Sequence, residues 1–245
     1  MIIDQTIDRA ISKMLIDKQV EERSNHISSG KLSASGLGKP LQWQILKTIG
    51  VEGKPLDEYV LRFFLRGKTI EDWVLENTPN VIDKQKLVEY KGAIGYVDAV
   101  VDYSNYESQL SILPTEIKSV KNSKYARIMT QGEPDRSHSL QACMYAMAMN
   151  CDKFGIIYIA ADDLRLTNWI IDTKKFSKQV DDIIENYNSQ MAKGILPAFD
   201  PPEKWMSSKQ YSDYPDWQDL TEEECQLKLA SEFPEAYQKL LSFKK

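Results

Sequence analysis

The sequence predicts an α/β domain, and three features carry that prediction. A stretch of helical periodicity runs to residue 77, three short segments rich in Val, Ile and Tyr follow between 86 and 119, and a helical segment then leads into two more strand-like segments. The chain has 245 residues, 42% of them hydrophobic, which suits one domain with a sizeable core. Within it, residues 1–55 read as a helical N-terminal accessory, 56–193 as the core and 194–245 as a C-terminal tail.

The elements follow in order. In residues 1–24, Ile3, Ile7, Ala10, Ile11, Met14 and Leu15 recur at helical spacing above a charged outer face. Residues 25–39 are rich in Ser and Gly and read as a loop, whose last serines are positioned to cap a helix carrying Leu41, Ile45 and Leu46. A longer helix is expected from Leu56, with Leu61, Phe64, Leu65, Val74 and Leu75 on its apolar face, stopped by Asn77, Thr78 and Pro79. Lys86 to Lys91, Gly95 to Tyr103 and Ser111 to Ser119 read as strands. A helix over Ser137 to Asn150 comes next, then strands at Gly155 to Ala161 and Arg165 to Ile171. Phe176, Val180, Ile183, Ile184, Tyr187 and Met191 mark an amphipathic helix ending at Gly194. Beyond Pro201 the periodicity weakens, leaving an aromatic- and proline-rich tail with a short helix over Glu222 to Leu229.

Charge and cysteine content narrow the function. A net charge of -5, from 31 basic and 36 acidic residues, argues against a protein that coats nucleic acid by bulk electrostatics, so any such contact is local. Cys143, Cys151 and Cys225 supply neither a disulfide framework nor a four-thiolate metal site, which points to a reducing compartment. With no basic, apolar leader and no apolar run long enough to span a bilayer, a soluble cytoplasmic protein without membrane contact is expected.

Three polar positions stand out against apolar surroundings. Helical geometry puts Glu71 on the face of Val74 and Leu75, with Gly67 one turn earlier leaving room for a backbone or ligand; a surface pair with Arg66 or Lys68 is the alternative. Asp98 interrupts the strand Gly95-Tyr-Val-Asp-Ala-Val on the face of Tyr96 and Val100, where a carboxylate needs a cation, a donor or water. Glu116 and Lys118 lie two apart and project from one strand face while Ile117 faces away, either toward a common site or as a surface ion pair. Carboxylates on a helix and two strands, plus a lysine, are the equipment of phosphodiester hydrolysis: hard oxygen ligands for Mg²⁺ and a cation for transition-state charge.

Taken together, Gly67-x-x-x-Glu71, Gly95-Tyr-Val-Asp98, Glu116-Ile-Lys118 and Gln141-x-x-x-Tyr145 resemble the ordered motifs of the PD-(D/E)XK nucleases, RecB-like branch, over about Ser33 to Met191. The resemblance implies a restriction-endonuclease-like core, with a central mixed β-sheet flanked by helices. It implies Glu71, Asp98 and Glu116 as ligands of Mg²⁺ or Mn²⁺, joined by the Ile117 carbonyl, and Lys118 as the catalytic lysine. Gln141 and Tyr145, with His138 on the same helical face, are implied to position DNA and the active site; a polar flank on a core helix is the competing reading. Many relatives clasp their two ends with an iron–sulfur cluster held by four cysteines. This chain reads Gly36-Leu-Gly-Lys39 near the early position and has no cysteine between Trp205 and Trp217. No cluster is therefore expected, and aromatic and proline packing is left to serve as the clasp.

Lys118, Lys121, Lys124, Arg127 and Arg136 oppose only Glu133 and Asp135 before His138, a local positive stretch suited to DNA phosphates or else an ordinary solvated loop; Gly132 and Pro134 suggest irregular backbone there. By family analogy the expected function is an exonuclease or flap-type nuclease of replication, repair or recombination in a phage or bacterium. Its expected substrate is DNA with a free end or single-stranded region, and a replication or recombination protein is its expected partner. Two alternatives are a structure-specific endonuclease and a non-catalytic DNA- or partner-binding protein on the same fold.

Overall fold

A computed structural model describes residues 6–24, 29–104 and 111–244. Its helices are α1 (Thr6–Ser24), α2 (Leu41–Ile49), α3 (Glu58–Asn77), α4 (Asn122–Gln131), α5 (Arg136–Ala148), α6 (Ser177–Lys193), α7 (Glu222–Glu232) and α8 (Pro234–Ser242). Its strands are β1 (Val81–Tyr90), β2 (Ala93–Asp102), β3 (Ile112–Val120), β4 (Lys153–Ala160) and β5 (Leu166–Asp172). They form one mixed sheet in the order β1-β2-β3-β4-β5. Every neighbouring pair is antiparallel except β3 and β4, whose parallel pairing is made possible by the crossover through α4 and α5.

Local chemistry sets these elements. The Asp57 carboxylate accepts from the Val60 N–H at 2.9 Å and starts α3. Lys91 and Gly92, both with positive φ, make the two-residue turn between the paired Tyr90 and Ala93, whose twist matches a hairpin. Gly194 ends α6 in the left-handed conformation, and Thr221 with Glu224 forms a capping box on α7.

Helices cover both sheet faces. On one, Ile70, Val74 and Leu75 of α3 pack against Ala99, Val101, Leu113, Ile117, Ile157 and Ile159. On the other, α2, α5, α6 and the C-terminal segment share a larger core that includes Trp43, Leu46, Leu140, Met144, Phe154, Ile184, Trp217, Leu229 and Leu240. The segment after Gly194 is thus built into the core. Trp43 of α2 stacks on Phe199 at 5.8 Å and meets Tyr214 at 6.4 Å, while the Tyr214 hydroxyl donates to the Val51 carbonyl at 3.1 Å.

Several sequence expectations need correction. The stretch between Lys121 and Gly132, expected as irregular loop, is helix α4, closed by Gly132 in the left-handed conformation; Tyr125 and Ile128, one turn apart, are its buried side chains. Pro40, not a serine, precedes α2, and no side chain caps it. Phe64 and Leu65 are exposed, because only the C-terminal half of α3 lies over the sheet. In α1, Leu15 is buried but Ile7, Ile11 and Met14 are exposed, and Ile3 lies outside the described residues. β1 begins earlier than expected, and α8 follows α7 where no helix was read. No described helix is long and apolar enough to cross a membrane.

Candidate active site

The ladder between β2 and β3 runs from Asp102↔Ile112 to Ala99↔Thr115 and stops one residue short of Asp98 and Glu116. Where it stops, the side chain of Asp98 takes over. Its Oδ2 accepts the Ile117 N–H at 2.8 Å, a bond that a paired strand would have made with backbone. Simple alternation also fails here, since Val97 and Val100 lie in one core cluster and Ala99 and Val101 in the other. Asp98 therefore sits where β2 parts from β3, with Tyr96 largely exposed and Val100 buried.

Glu116 and Lys118 do share a face of β3, and their side chains form an ion pair. Glu116 is fully buried; Lys118 is paired with its Oε1, and its Oε2 has no hydrogen-bond partner. Burial pushes the Glu116 carboxyl up to about 8, against the pull of Lys118 and with a further push from Asp98 and Glu71. Asp98 is raised as well, first by burial and then by Glu71, against Lys118 and its own hydrogen bonds. Three carboxylates thus feel one another, with one ammonium among them. Burial disfavours the Lys118 charge, but Glu116, Asp98 and Glu71 together hold its pKa above the usual lysine range.

Glu71, half-buried on α3, receives hydrogen bonds from Lys68 at 3.2 Å and from the Gln85 amide at 3.0 Å. Gln85, which the sequence did not single out, also lies close enough to Asp98 to favour its ionised form, and so stands between two of the three carboxylates. It does so from a left-handed backbone, φ 49°, inside β1, a conformation that costs a non-glycine residue roughly 1 kcal/mol. Gln85→Ala is expected to leave the fold standing and to lower divalent-ion affinity by about 10- to 100-fold, the range for partners that orient metal ligands. Titration calorimetry with Mn²⁺ reads this, and unchanged affinity would refute it.

On α5, Gln141 donates to the Tyr145 hydroxyl at 2.8 Å, and the buried Tyr145 lies within electrostatic reach of Glu116 and Asp98, which with burial raises its pKa. Gly95 makes this possible. A Cβ there would stand 2.6 Å from Tyr145 Cε1 and 2.7 Å from Ala34 Cβ. Gly95→Ala is expected to destabilise the protein by roughly 1–3 kcal/mol in denaturant melts. His138 is placed differently from its helical neighbours: its Nδ1 is 2.8 Å from the Tyr158 hydroxyl, and burial, with Lys118 and Lys124 nearby, drives its pKa well below the usual value. It is neutral at pH 7.

The basic stretch divides. Lys124 and Arg127 both pair with Asp135, Arg127 at 3.3 Å, and Arg136 donates to Gln179 at 3.2 Å. Lys121 instead places its ammonium 4.5 Å from the centre of the Phe63 ring on α3. Asp135 therefore cancels much of the expected positive charge, while Lys121 is turned toward Phe63 of α3.

The donor set fits a hard divalent ion, on the strength of the buried, unpartnered Glu116 Oε2 beside two further carboxylates. Among the described residues, no three His, Cys, Asp or Glu side chains already converge closely enough to enclose one. Lys118 occupies the position beside Glu116.

No family model matches the sequence, and no curated protein is similar enough to be matched to it. Among solved structures, the chain is similar to SSO0001, with a TM-score of 0.48 and 16% identity over 82% of this chain and 92% of that one. It is similar to an alkaline exonuclease, LHK-Exo, from Laribacter hongkongensis, with a TM-score of 0.45 and 12% identity over 73% and 93%. LHK-Exo in complex with dAMP gives a TM-score of 0.46 and 13% identity over 66% and 89%.

Proposed function

We propose that this protein is a metal-dependent DNA nuclease of the PD-(D/E)XK type, RecB-like, acting as an exonuclease on DNA with a free end or single-stranded region. One observation carries the reading: a fully buried glutamate, one oxygen paired with Lys118 and the other without a partner, set with Asp98 and Glu71 around that lysine at the point where two strands part. A buried carboxylate left so is costly unless a cation completes it.

Glu71, Asp98 and Glu116 would hold Mg²⁺ or Mn²⁺, with the Ile117 carbonyl beside them, and the ion would polarise the scissile phosphate and the attacking water. Lys118, paired with Glu116 in this structure, would with the ion in place serve to orient the water or to offset charge on the phosphate. Asp98 keeps its bond to the Ile117 N–H, which fixes the carboxylate and holds the parted strands in place. Gln141 orients the Tyr145 hydroxyl, and Tyr145 walls the site on the α5 side. Of the basic residues, Lys121 is the one we assign to backbone phosphates; Lys124 and Arg127 become available as Asp135 releases them. Replication, repair or recombination is the process such an activity serves.

The test is digestion of end-labelled linear, end-blocked and circular DNA with Mg²⁺, Mn²⁺ or EDTA. An exonuclease degrades the linear substrate alone, and only with metal. Cleavage of circular DNA would establish an endonuclease instead, and undiminished cleavage in EDTA would overturn the metal-dependent reading.

A further inference from the structure

On α3, Val60, Phe63, Phe64, Gly67, Ile70, Glu71 and Val74 fall on one helical face. Its C-terminal half, from Ile70, is buried against the sheet, but its N-terminal half extends past the sheet and leaves the same face open. Phe64 is 60% exposed and Tyr59 is 63% exposed. Helix α1 packs along a different flank, where Arg62 reaches Asp8 at 2.8 Å and Gln19 reaches the Leu56 carbonyl at 3.0 Å. Glu71 stands at the junction between the covered and uncovered halves.

The open half is aromatic and edged with positive charge. Tyr59 meets Phe63 edge-on at 4.5 Å, Lys121 lies 4.5 Å from the centre of the Phe63 ring and Arg66 lies 5.1 Å from it. Arg66 is partly offset by Asp162 at 3.7 Å, whereas Lys121 makes no ion pair with a described residue. Lys121 also ties this shelf to the catalytic strand, being three residues beyond Lys118. By helical rise Phe63 is about 12 Å along α3 from Glu71, roughly three stacked nucleotides. Between them lies Gly67, where an added Cβ would meet nothing within 4 Å, so the path is unobstructed.

We propose that this overhanging shelf binds a single DNA strand on its way to the carboxylates, with unpaired bases stacking on the exposed Tyr59 and Phe64 and with Lys121, seated over Phe63, meeting the phosphates. Aromatic faces flanked by cations are what an unpaired strand uses, because stacking is sequence-tolerant and each base offers a π-face. A blunt duplex keeps its bases stacked internally and gains nothing from such a surface. The proposal rests on the nuclease reading and gives it a substrate preference.

The test is anisotropy with a fluorescent single-stranded oligonucleotide and a blunt duplex of the same length, in EDTA, across a salt series. The double variant Tyr59→Ala, Phe64→Ala is expected to bind the single strand at least roughly 30-fold more weakly, two stacked bases being lost, with duplex affinity unchanged. The slope of log affinity against log salt should stay the same, because no charge is removed. Tyr59→Phe alone, at an exposed position that does not challenge folding, should retain wild-type affinity while Tyr59→Ala alone loses it. Unchanged single-strand binding in both alanine variants, or equal loss for both DNA forms, overturns the shelf and leaves the nuclease reading intact. Failure of the wild-type protein to bind or cleave any DNA overturns both.

Discussion

Replacing Asp98 by Asn or Glu116 by Ala is expected to abolish metal-dependent cleavage while leaving the protein folded. Each removes a carboxylate from the candidate metal site, and the loss of several kcal/mol of transition-state stabilisation corresponds to on the order of 10³-fold in rate. Asparagine is the better probe at 98, since its amide oxygen still accepts the Ile117 N–H that Asp98 now holds at 2.8 Å. Asp98→Asn conserves volume, whereas Glu116→Ala empties a buried position, so Glu116→Gln serves as its volume-conserving control. Rate measurements with Mg²⁺, alongside circular dichroism, decide it: a folded variant that cleaves within tenfold of wild type would exclude that residue from the metal site.

Glu116→Gln is expected to do the opposite to stability. The Glu116 carboxyl is raised to about 8 in the folded protein, well above its ordinary value near 4.5. Between those limits the unfolded chain has released the proton and the folded protein keeps it, so stability present at low pH is lost as pH rises through the folded value. Glutamine cannot ionise. Its variant should therefore gain on the wild type steadily from pH 5 to 8 in metal-free urea melts, even though it does not cleave. Parallel pH profiles for the two proteins would show that Glu116 is not a buried, strained carboxylate. Divalent metal should close the gap at the alkaline end, by stabilising the ionised form.

Much of this molecule was legible in its residues, for reasons that also explain what was not. The long helical rhythm after Phe176 announces itself because burial selects every third to fourth side chain, and β2 and β4 announce themselves by their runs of Val, Ile and Tyr. Helix α4 escaped because its buried residues, Tyr125 and Ile128, are too few to make a pattern among polar neighbours, and Gly132 and Pro134 pulled the reading toward loop. The apolar face of α3 was visible, but whether the sheet extends far enough to cover Phe64 is a tertiary matter. At the site, Glu71, Asp98, Glu116 and Lys118 could be placed on neighbouring elements from their order alone. Gln85 could not, since its role comes from a left-handed turn of backbone opposite the point where β2 parts from β3, and nothing about a glutamine in a polar strand betrays that.

The packing of Trp43 against Phe199 and Tyr214, with Leu229 and Leu240 in the same core, bears on how the protein is made. Partners separated by more than 150 residues can meet only after the last of them has left the ribosome, so the hydrophobic face of α2 waits uncovered through most of synthesis. The sheet and α3, whose contacts are nearer in sequence, have time to form first. High separation between partners slows the final step, and an exposed tryptophan face during that interval invites aggregation. Slower translation between residues 194 and 240 would lengthen the exposure, which makes the yield of soluble protein sensitive to growth temperature and to chaperone supply.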